Sequence, residues 1–310
     1  MTGTSEEVVP IVLGPTAVGK TELVHRAAKS VGGEIISADS RAIYRGMDIG
    51  TATPPVELRE EMPYHLINFL DPRERYSAAD YRQEVEEKVP EVRSRGNRPI
   101  VVGGSRLYII SLTQGIFEGP EADEALREQL RSKPGEELHE RLQEVDPRSA
   151  EKIHPNDTKR LVRALEVYEL SGEPISKLKE ETEPLPFDFK IIGLDRDREQ
   201  LYARINRRVD DMVEAGLFDE VKELVQAGFG PDWGAWETIG YKELALHLRG
   251  ELDRDEAIDE IKKNTRHLAK YQQNWMTKFT GLEEIDLAAE AAPGSRLMDL
   301  LGQSGSNPRG

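Results

Sequence analysis

The chain has 310 residues, which at ~150 residues per domain means about two domains, or one core carrying a sizeable insertion. Hydrophobic side chains make up 37% and charged ones 32%, enough apolar material for a real core and too much charge for a membrane protein. No cysteine is present, which excludes disulfides, thiolate metal sites, iron–sulfur clusters and cysteine nucleophiles, and 42 Lys plus Arg against 58 Asp plus Glu leave a formal charge of −16 that disfavours a polyanion bound by overall charge.

In chain order, Val8–Leu13 is a short apolar run ending in a Gly-rich turn, and Thr21–Val31 follows with helical spacing of Leu23, Ala27, Ala28 and Val31. Gly33–Ala38 reads as a second strand, Tyr81–Arg95 as an amphipathic helix, and Pro99–Val102 as a third strand that stops at Gly103-Gly104. Strands alternating with helices imply βαβ units and a parallel sheet covered on both faces. Past Gly119 the character turns to charged helices over Ala122–Arg131, Glu136–Val145 and Asn156–Leu170, with Pro134-Gly135 and Asp146-Pro147 as breakers. Phe189–Leu194 returns to strand character, and helices are expected over Gln200–Glu214, Asp219–Gln226, Arg254–Lys263 and Thr265–Lys278. The expected fold is therefore α/β: a doubly wound parallel sheet with a phosphate loop, built from 1–117 and 189–290, interrupted by a helical insertion domain at 118–188. Residues 291–310 read as a C-terminal tail, frayed over Gly302–Gly310. No apolar run reaches the ~18 residues of a spanning helix and no charged-then-apolar leader precedes the first strand, so a cytoplasmic protein without a membrane partner is expected.

Gly14-Pro15-Thr16-Ala17-Val18-Gly19-Lys20-Thr21 fits G-x-x-x-x-G-K-[ST] and lies between a predicted strand and a predicted helix. Its glycines let successive N–H groups turn toward one anion, the helix start adds positive dipole, Lys20 supplies a charge, and the Thr21 hydroxyl can hold Mg²⁺. A di- or triphosphate ligand follows. NTP-hydrolysing enzymes place an acid at the end of a further strand, yet Pro99–Val102 runs into Gly103-Gly104-Ser105 without a carboxylate. The acid stands instead after the second strand, at Asp39, where open α/β sheets bind ligands. A lone Asp there is also an ordinary turn former. Basic residues cluster locally despite the net charge: Lys159, Arg160 and Arg163; Arg204, Arg207 and Arg208; and five between Lys262 and Lys278 with no acid among them. Such stripes either hold a nucleic acid or are solvated helix faces.

Gly14–Thr21, Asp39-Ser40-Arg41-Ala42 running on to Ala52, Val102-Gly103-Gly104-Ser105, His154-Pro155-Asn156-Asp157 with Arg160 and Arg163, Ile239-Gly240-Tyr241-Lys242-Glu243, and Thr265-Arg266 with Ala269-Lys270 and Gln272 occur in one order. Together they resemble the bacterial tRNA dimethylallyltransferases, or tRNA isopentenyltransferases, over about residues 8–280. The resemblance implies transfer of a dimethylallyl group from dimethylallyl diphosphate to N6 of adenosine 37, beside the anticodon of tRNA, with Mg²⁺ and release of diphosphate. It implies catalytic roles for Asp39 as the base, Lys20, Ser105 and Arg208, and diphosphate binding by Gly14, Pro15, Thr16, Ala17, Val18, Gly19, Lys20, Thr21 and Arg204. Contacts with the anticodon stem-loop are implied for Asp39, Ser40, Arg41 and Ala42 and for Lys159, Arg160, Leu161, Val162 and Arg163, on a chain acting as a monomer. The sequence departs from the family pattern at Ala42, Thr53, Arg106, Tyr271 and Asn274, and Ser105 replaces the usual threonine. Three readings compete: a P-loop small-molecule kinase, an adenylate isopentenyltransferase acting on free nucleotides, and a nucleotide- or RNA-binding module without catalysis. Trp233, Trp236 and Trp275 read as core, and His65 and His154 as structural.

Overall fold

The computed structural model describes residues 8–117 and 119–303, which form two compact units: one from the stretches up to Ile109 and from Pro186 on, the other Ile110–Leu185. In the first unit six strands, β1 (Val9–Leu13), β2 (Gly33–Ala38), β3 (Tyr64–His65), β4 (Arg98–Gly103), β5 (Phe189–Asp195) and β6 (Glu283–Asp286), make one sheet in the order β3-β2-β4-β1-β5-β6. Every pairing is parallel, with Ile11 opposite Val101 on one side and Ile191 on the other. The central strands β1 and β2 are buried along their whole length, as strands covered on both faces must be.

The helices of the chain follow in order: α1 (Lys20–Ser30), α2 (Val56–Glu61), α3 (Ala78–Ser94) and α4 (Arg106–Thr113), then α5 (Glu124–Arg131), α6 (Gly135–Val145), α7 (Pro147–Ala150), α8 (Thr158–Ser171) and α9 (Ile175–Leu178) of the second unit. The first unit resumes with α10 (Arg198–Glu214), α11 (Leu217–Gln226), α12 (Tyr241–Leu248), α13 (Arg254–Met276) and α14 (Pro293–Gly302). The two helices expected over 254–263 and 265–278 are a single one of 23 residues, Arg254–Met276: Asn264, between the two expected spans, lies inside it and donates from Nδ2 to Glu243 Oε1 at 2.9 Å.

The expected tail from 291 is also corrected. Leu297, Leu300 and Leu301, spaced to face one way, are buried with Val24, Ala27 and Ala28 of α1, so α14 belongs to the core; residues 304–310 lie outside the described ones. The compact second unit starts at Ile110 and ends at Leu185, where the sequence suggested 118 and 188. Its own core is formed by Leu130, Leu138, Leu142, Leu161 and Leu165. A separate cluster in the first unit holds Tyr44, Phe229, Trp233, Trp236 and Tyr241, and Trp275 is also buried, so all three tryptophans are core. Among the described residues no helix is long and apolar enough to cross a membrane.

Candidate active site

The C-terminal ends of β1, β2 and β4 open into a cavity of about 590 Å³ lined by the phosphate loop, Asp39, Gly103, Gly104 and one face of α10. Two glycines make the convergence possible. A Cβ on Gly103 would collide with the Ala38 carbonyl, and one on Gly104 with the Gln272 amide.

Loop conformation decides which backbone groups meet a ligand. Gly19 sits at φ 111° and Ala17 at φ 62°, turning the chain back on itself before α1. Pro15 has no N–H, Thr16 N donates to Gln272 Oε1 at 2.8 Å, and Val18 N to Pro15 O at 3.3 Å. Val18 is wholly buried, so its side chain is core. Among the described loop residues that line the cavity, the N–H groups of Ala17, Gly19, Lys20 and Thr21 take no protein acceptor, which makes these four the anion donors that face it.

The loop is held from far along the chain. Gln272 Nε2 donates to Gly104 O at 3.1 Å, tying β4 to the same amide that receives Thr16, and Arg204 Nε donates to Ala17 O at 2.8 Å. Lys20 Nζ folds onto Gly14 O and Pro15 O at 2.7 and 2.8 Å. Burial lowers the Lys20 ammonium to about 7, with Asp39 opposing the shift and Arg208 adding to it. The Arg208 guanidinium is likewise lowered by burial, offset by Asp39.

Asp39 forms a turn and still has an oxygen left over. Its Oδ1 accepts from Arg41 N at 2.8 Å and Ala42 N at 3.3 Å, while Oδ2 takes no hydrogen bond among the described residues. Ser105 Oγ accepts from Ser40 N at 2.9 Å and donates to Ser40 Oγ at 3.1 Å, so its hydroxyl braces the Asp39 turn and is not among the cavity-lining groups. Opposite stand Arg204, Arg207, Arg208 and Asp211 of α10. From sequence Arg207 was noted only as a member of the basic cluster with Arg204 and Arg208, and Asp211 was not noted, although i, i+3, i+4, i+7 spacing from Arg204 marks one helix face. Gln272 was noticed only as part of a motif, since nothing local signals a bond across 256 residues.

Some expected RNA-contact residues are redirected. Leu161 and Val162 are buried in the second unit's core, so their side chains cannot reach RNA. Arg163 pairs with Glu166 at 2.7 Å, whereas Lys159 and Arg160 are exposed on the first turn of α8. Ala42 is buried at 4% exposure. The basic stripe along α13 is largely committed: Lys262 to Asp210, Lys263 to Glu260 and Arg266 to Asn206. His65 bonds buried Glu34 at 2.6 Å, and His154 Nδ1 accepts from Asn156 N at 3.1 Å in its turn.

Comparison with known proteins places this geometry in a family. The IPP transferase family model matches residues 42–279. The chain is 48% identical to the tRNA dimethylallyltransferase of Thermotoga neapolitana over 272 residues, covering 87% of this chain and 89% of that one, and 46% identical to tRNA dimethylallyltransferase 2 of Geotalea uraniireducens, covering 86% and 88%. Among solved structures it is similar to the tRNA isopentenylpyrophosphate transferase of Bacillus halodurans (39% identity, TM-score 0.70, covering 96% and 94%). It is also similar to a eukaryotic dimethylallyltransferase captured acting on tRNA (30% identity, TM-score 0.77, covering 95% and 78%).

Proposed function

The chain belongs to the IPP transferase family, and from that premise we propose that it transfers the dimethylallyl group of dimethylallyl diphosphate to the exocyclic N6 of adenosine 37 in tRNA. The observation that carries the reading is one cavity holding both uncommitted backbone donors at the start of α1 and an unbonded carboxylate oxygen on Asp39.

In this mechanism the N–H groups of Ala17, Gly19, Lys20 and Thr21 bind the diphosphate, and Lys20, Arg204 and Arg208 meet the negative charge that grows as the carbon–oxygen bond breaks. The adenine N6 attacks the allylic carbon, and Asp39 Oδ2 takes its proton as the carbon–nitrogen bond forms. Diphosphate leaves as the second product. Among the described residues no cluster of three His, Asp or Glu side chains could cage a metal. Mg²⁺ keeps its waters and binds one or two protein oxygens plus phosphates; the Thr21 hydroxyl would hold it, and the ion would add charge stabilisation on the diphosphate.

RNA reaches the site by extruding one base from a single-stranded loop. Arg41, Lys159 and Arg160 are the candidate phosphate contacts on a monomeric enzyme of the cytoplasm. The test is to incubate the protein with tRNA, dimethylallyl diphosphate and Mg²⁺ and to analyse the digested nucleosides, N6-dimethylallyladenosine being the expected product. Phosphoryl transfer from ATP without prenylation would favour a kinase instead, and prenylation of free AMP but not of tRNA would favour an adenylate isopentenyltransferase.

A further inference from the structure

Residues 47–53 form a closed turn, of which Thr51 and Ala52 line the cavity. Ala52 N donates to Ile49 O and Thr53 N to Asp48 O, both at 3.0 Å, and Thr51 Oγ1 donates to Met47 O at 2.6 Å. The preceding amides converge on one carboxylate from α11. Glu220 Oε2 accepts from Asp48 N and Ile49 N, both at 2.9 Å, and Glu220 Oε1 accepts from Gly50 N at 3.3 Å. Successive amides aimed at one point make an anion-binding concavity, and here the anion belongs to the chain itself.

Tyr241, the first residue of α12, completes the set: its hydroxyl donates to Glu220 Oε1 at 2.5 Å and accepts from Gly50 N at 3.1 Å. The residue is wholly buried, and burial first and the Glu220 charge second push its phenol far above the usual range, so it remains a donor. Onward bonds reach the Asp39 turn. Asp48 Oδ1 accepts from Asn68 Nδ2 at 2.5 Å, Asn68 N donates to Ala42 O at 2.9 Å, and Ala42 N donates to Asp39 Oδ1 at 3.3 Å. Ala52 at φ 51° and Asn68 at φ 50° hold backbone that persists only where surrounding bonds enforce it. Neither Glu220 nor Tyr241 lines the cavity, so each acts on it through the turn.

We propose that Glu220, with Tyr241 as its donor, is a positioning residue for the transfer reaction: its carboxylate fixes residues 48–50 and, through Asp48 and Asn68, the turn that carries Asp39. The inference rests on the prenyl-transfer reading above and adds to it a residue outside the cavity. Charge is what the site requires, because a glutamine of the same shape offers one oxygen and turns an N–H donor toward amides that are donors themselves.

The test compares the wild type, Glu220→Gln and Tyr241→Phe in single-turnover prenyl transfer at saturating tRNA and dimethylallyl diphosphate, with inorganic diphosphate binding followed by calorimetry. Glu220→Gln should lower the single-turnover rate by ~10- to 100-fold, the scale of a catalytic group moved out of place. Its affinity for inorganic diphosphate should hold, since Gln272 and Arg204 fasten the phosphate loop separately, and hydrogen exchange at amides 48–50 should quicken. Tyr241→Phe should lose rate in the same direction by about 3-fold or more, as one hydrogen bond allows. A wild-type rate in folded Glu220→Gln overturns the proposal, and so does a rate loss matched by an equal loss of diphosphate affinity, which marks general damage to the fold. Should Glu220→Gln fail to fold, Tyr241→Phe decides: lost rate with diphosphate affinity kept supports the assignment, and an unchanged rate overturns it. A wild type that transfers no prenyl group brings down the prenyl-transfer reading itself, and this role with it.

Discussion

The interior of the helical unit and the catalytic cavity treat buried polar groups in opposite ways. In the helical unit Glu166 is fully buried yet receives Arg127 at 2.8 Å, Arg163 at 2.7 Å and Asp123 N at 3.0 Å. Burial alone would raise its carboxyl, but these bonds more than offset that and hold it below the usual range. Asp146, 1% exposed, is satisfied in the same manner by Ser149 and by Ser176 N. In the cavity four N–H groups and one oxygen of Asp39 are uncommitted, and Lys20 is held near neutrality. One region is consistent with itself; the other carries bonding capacity that only a ligand uses, as functional sites do.

The largest expected effect breaks the cavity's side of that contrast. Asp39→Asn keeps the Oδ1 acceptor of the turn and removes the base, so turnover should fall by ~10²–10⁴ with both substrates still bound. Single-turnover rates with separate affinities for tRNA and dimethylallyl diphosphate check this, and a near wild-type rate would leave Asp39 as a turn former only.

On the helical side, Glu166→Ala strips the partner from two arginines and an amide, and should destabilise that unit by about 3–5 kcal/mol, as loss of one member of a buried pair does. Urea unfolding should show it, whereas the same substitution at exposed Glu22, whose only ion pair among the described residues is the long one to Arg26, should shift stability by well under 1 kcal/mol.

Lys20 sharpens the comparison through pH. Its folded pKa of about 7 lies below the ordinary 10.5, so between those values the unfolded chain binds more protons and stability rises with pH. The proposed binding of diphosphate, which would use the charged form, runs the other way. The kcat/KM for dimethylallyl diphosphate should therefore fall as pH rises through about 7, and Lys20→Met should lose this limb while gaining stability below pH 7, measured as Tm.

Smaller still is the expected effect at α8. Lys159→Ala with Arg160→Ala should weaken tRNA binding and reduce its salt slope by about one unit per lost phosphate contact, leaving dimethylallyl diphosphate affinity unchanged. Arg163→Ala, by contrast, should act through stability because Glu166 holds it.

Much of this was legible in the chain. The phosphate loop, the three strands around it and Asp39 follow from local spacing, because a glycine-rich turn and an apolar run carry their geometry with them. Elements fixed by distant contacts were not: β3 is two residues long, β6 four, and α14 is held by three leucines packing on a helix over 260 residues earlier. Within the site, Gln272 was visible only as a motif letter, since its role is to join Thr16 to Gly104. Leu161 and Val162 were misassigned because a run next to exposed basic residues says nothing of which helix face each side chain takes; the unit's own core settles that.

Ser105 offers the finest test of the same contrast, because its hydroxyl faces two possible duties. Family resemblance gives it a catalytic role, which a hydroxyl would fill by touching the diphosphate, while its bonds run to Ser40 N and Ser40 Oγ, beside the Asp39 turn. Removing it leaves the Ser40 amide without its acceptor, a loss of about 1 kcal/mol for one neutral hydrogen bond, or roughly 5-fold if it falls on the orientation of the base. Ser105→Ala should therefore lower single-turnover rate by that small factor and leave dimethylallyl diphosphate affinity unchanged, and Ser105→Thr, which keeps the hydroxyl, should restore the rate. If the affinity for dimethylallyl diphosphate and for inorganic diphosphate fell together while the rate held, the hydroxyl would swing to the ligand in the bound enzyme, and the bracing of the Asp39 turn would be a feature of the empty cavity alone.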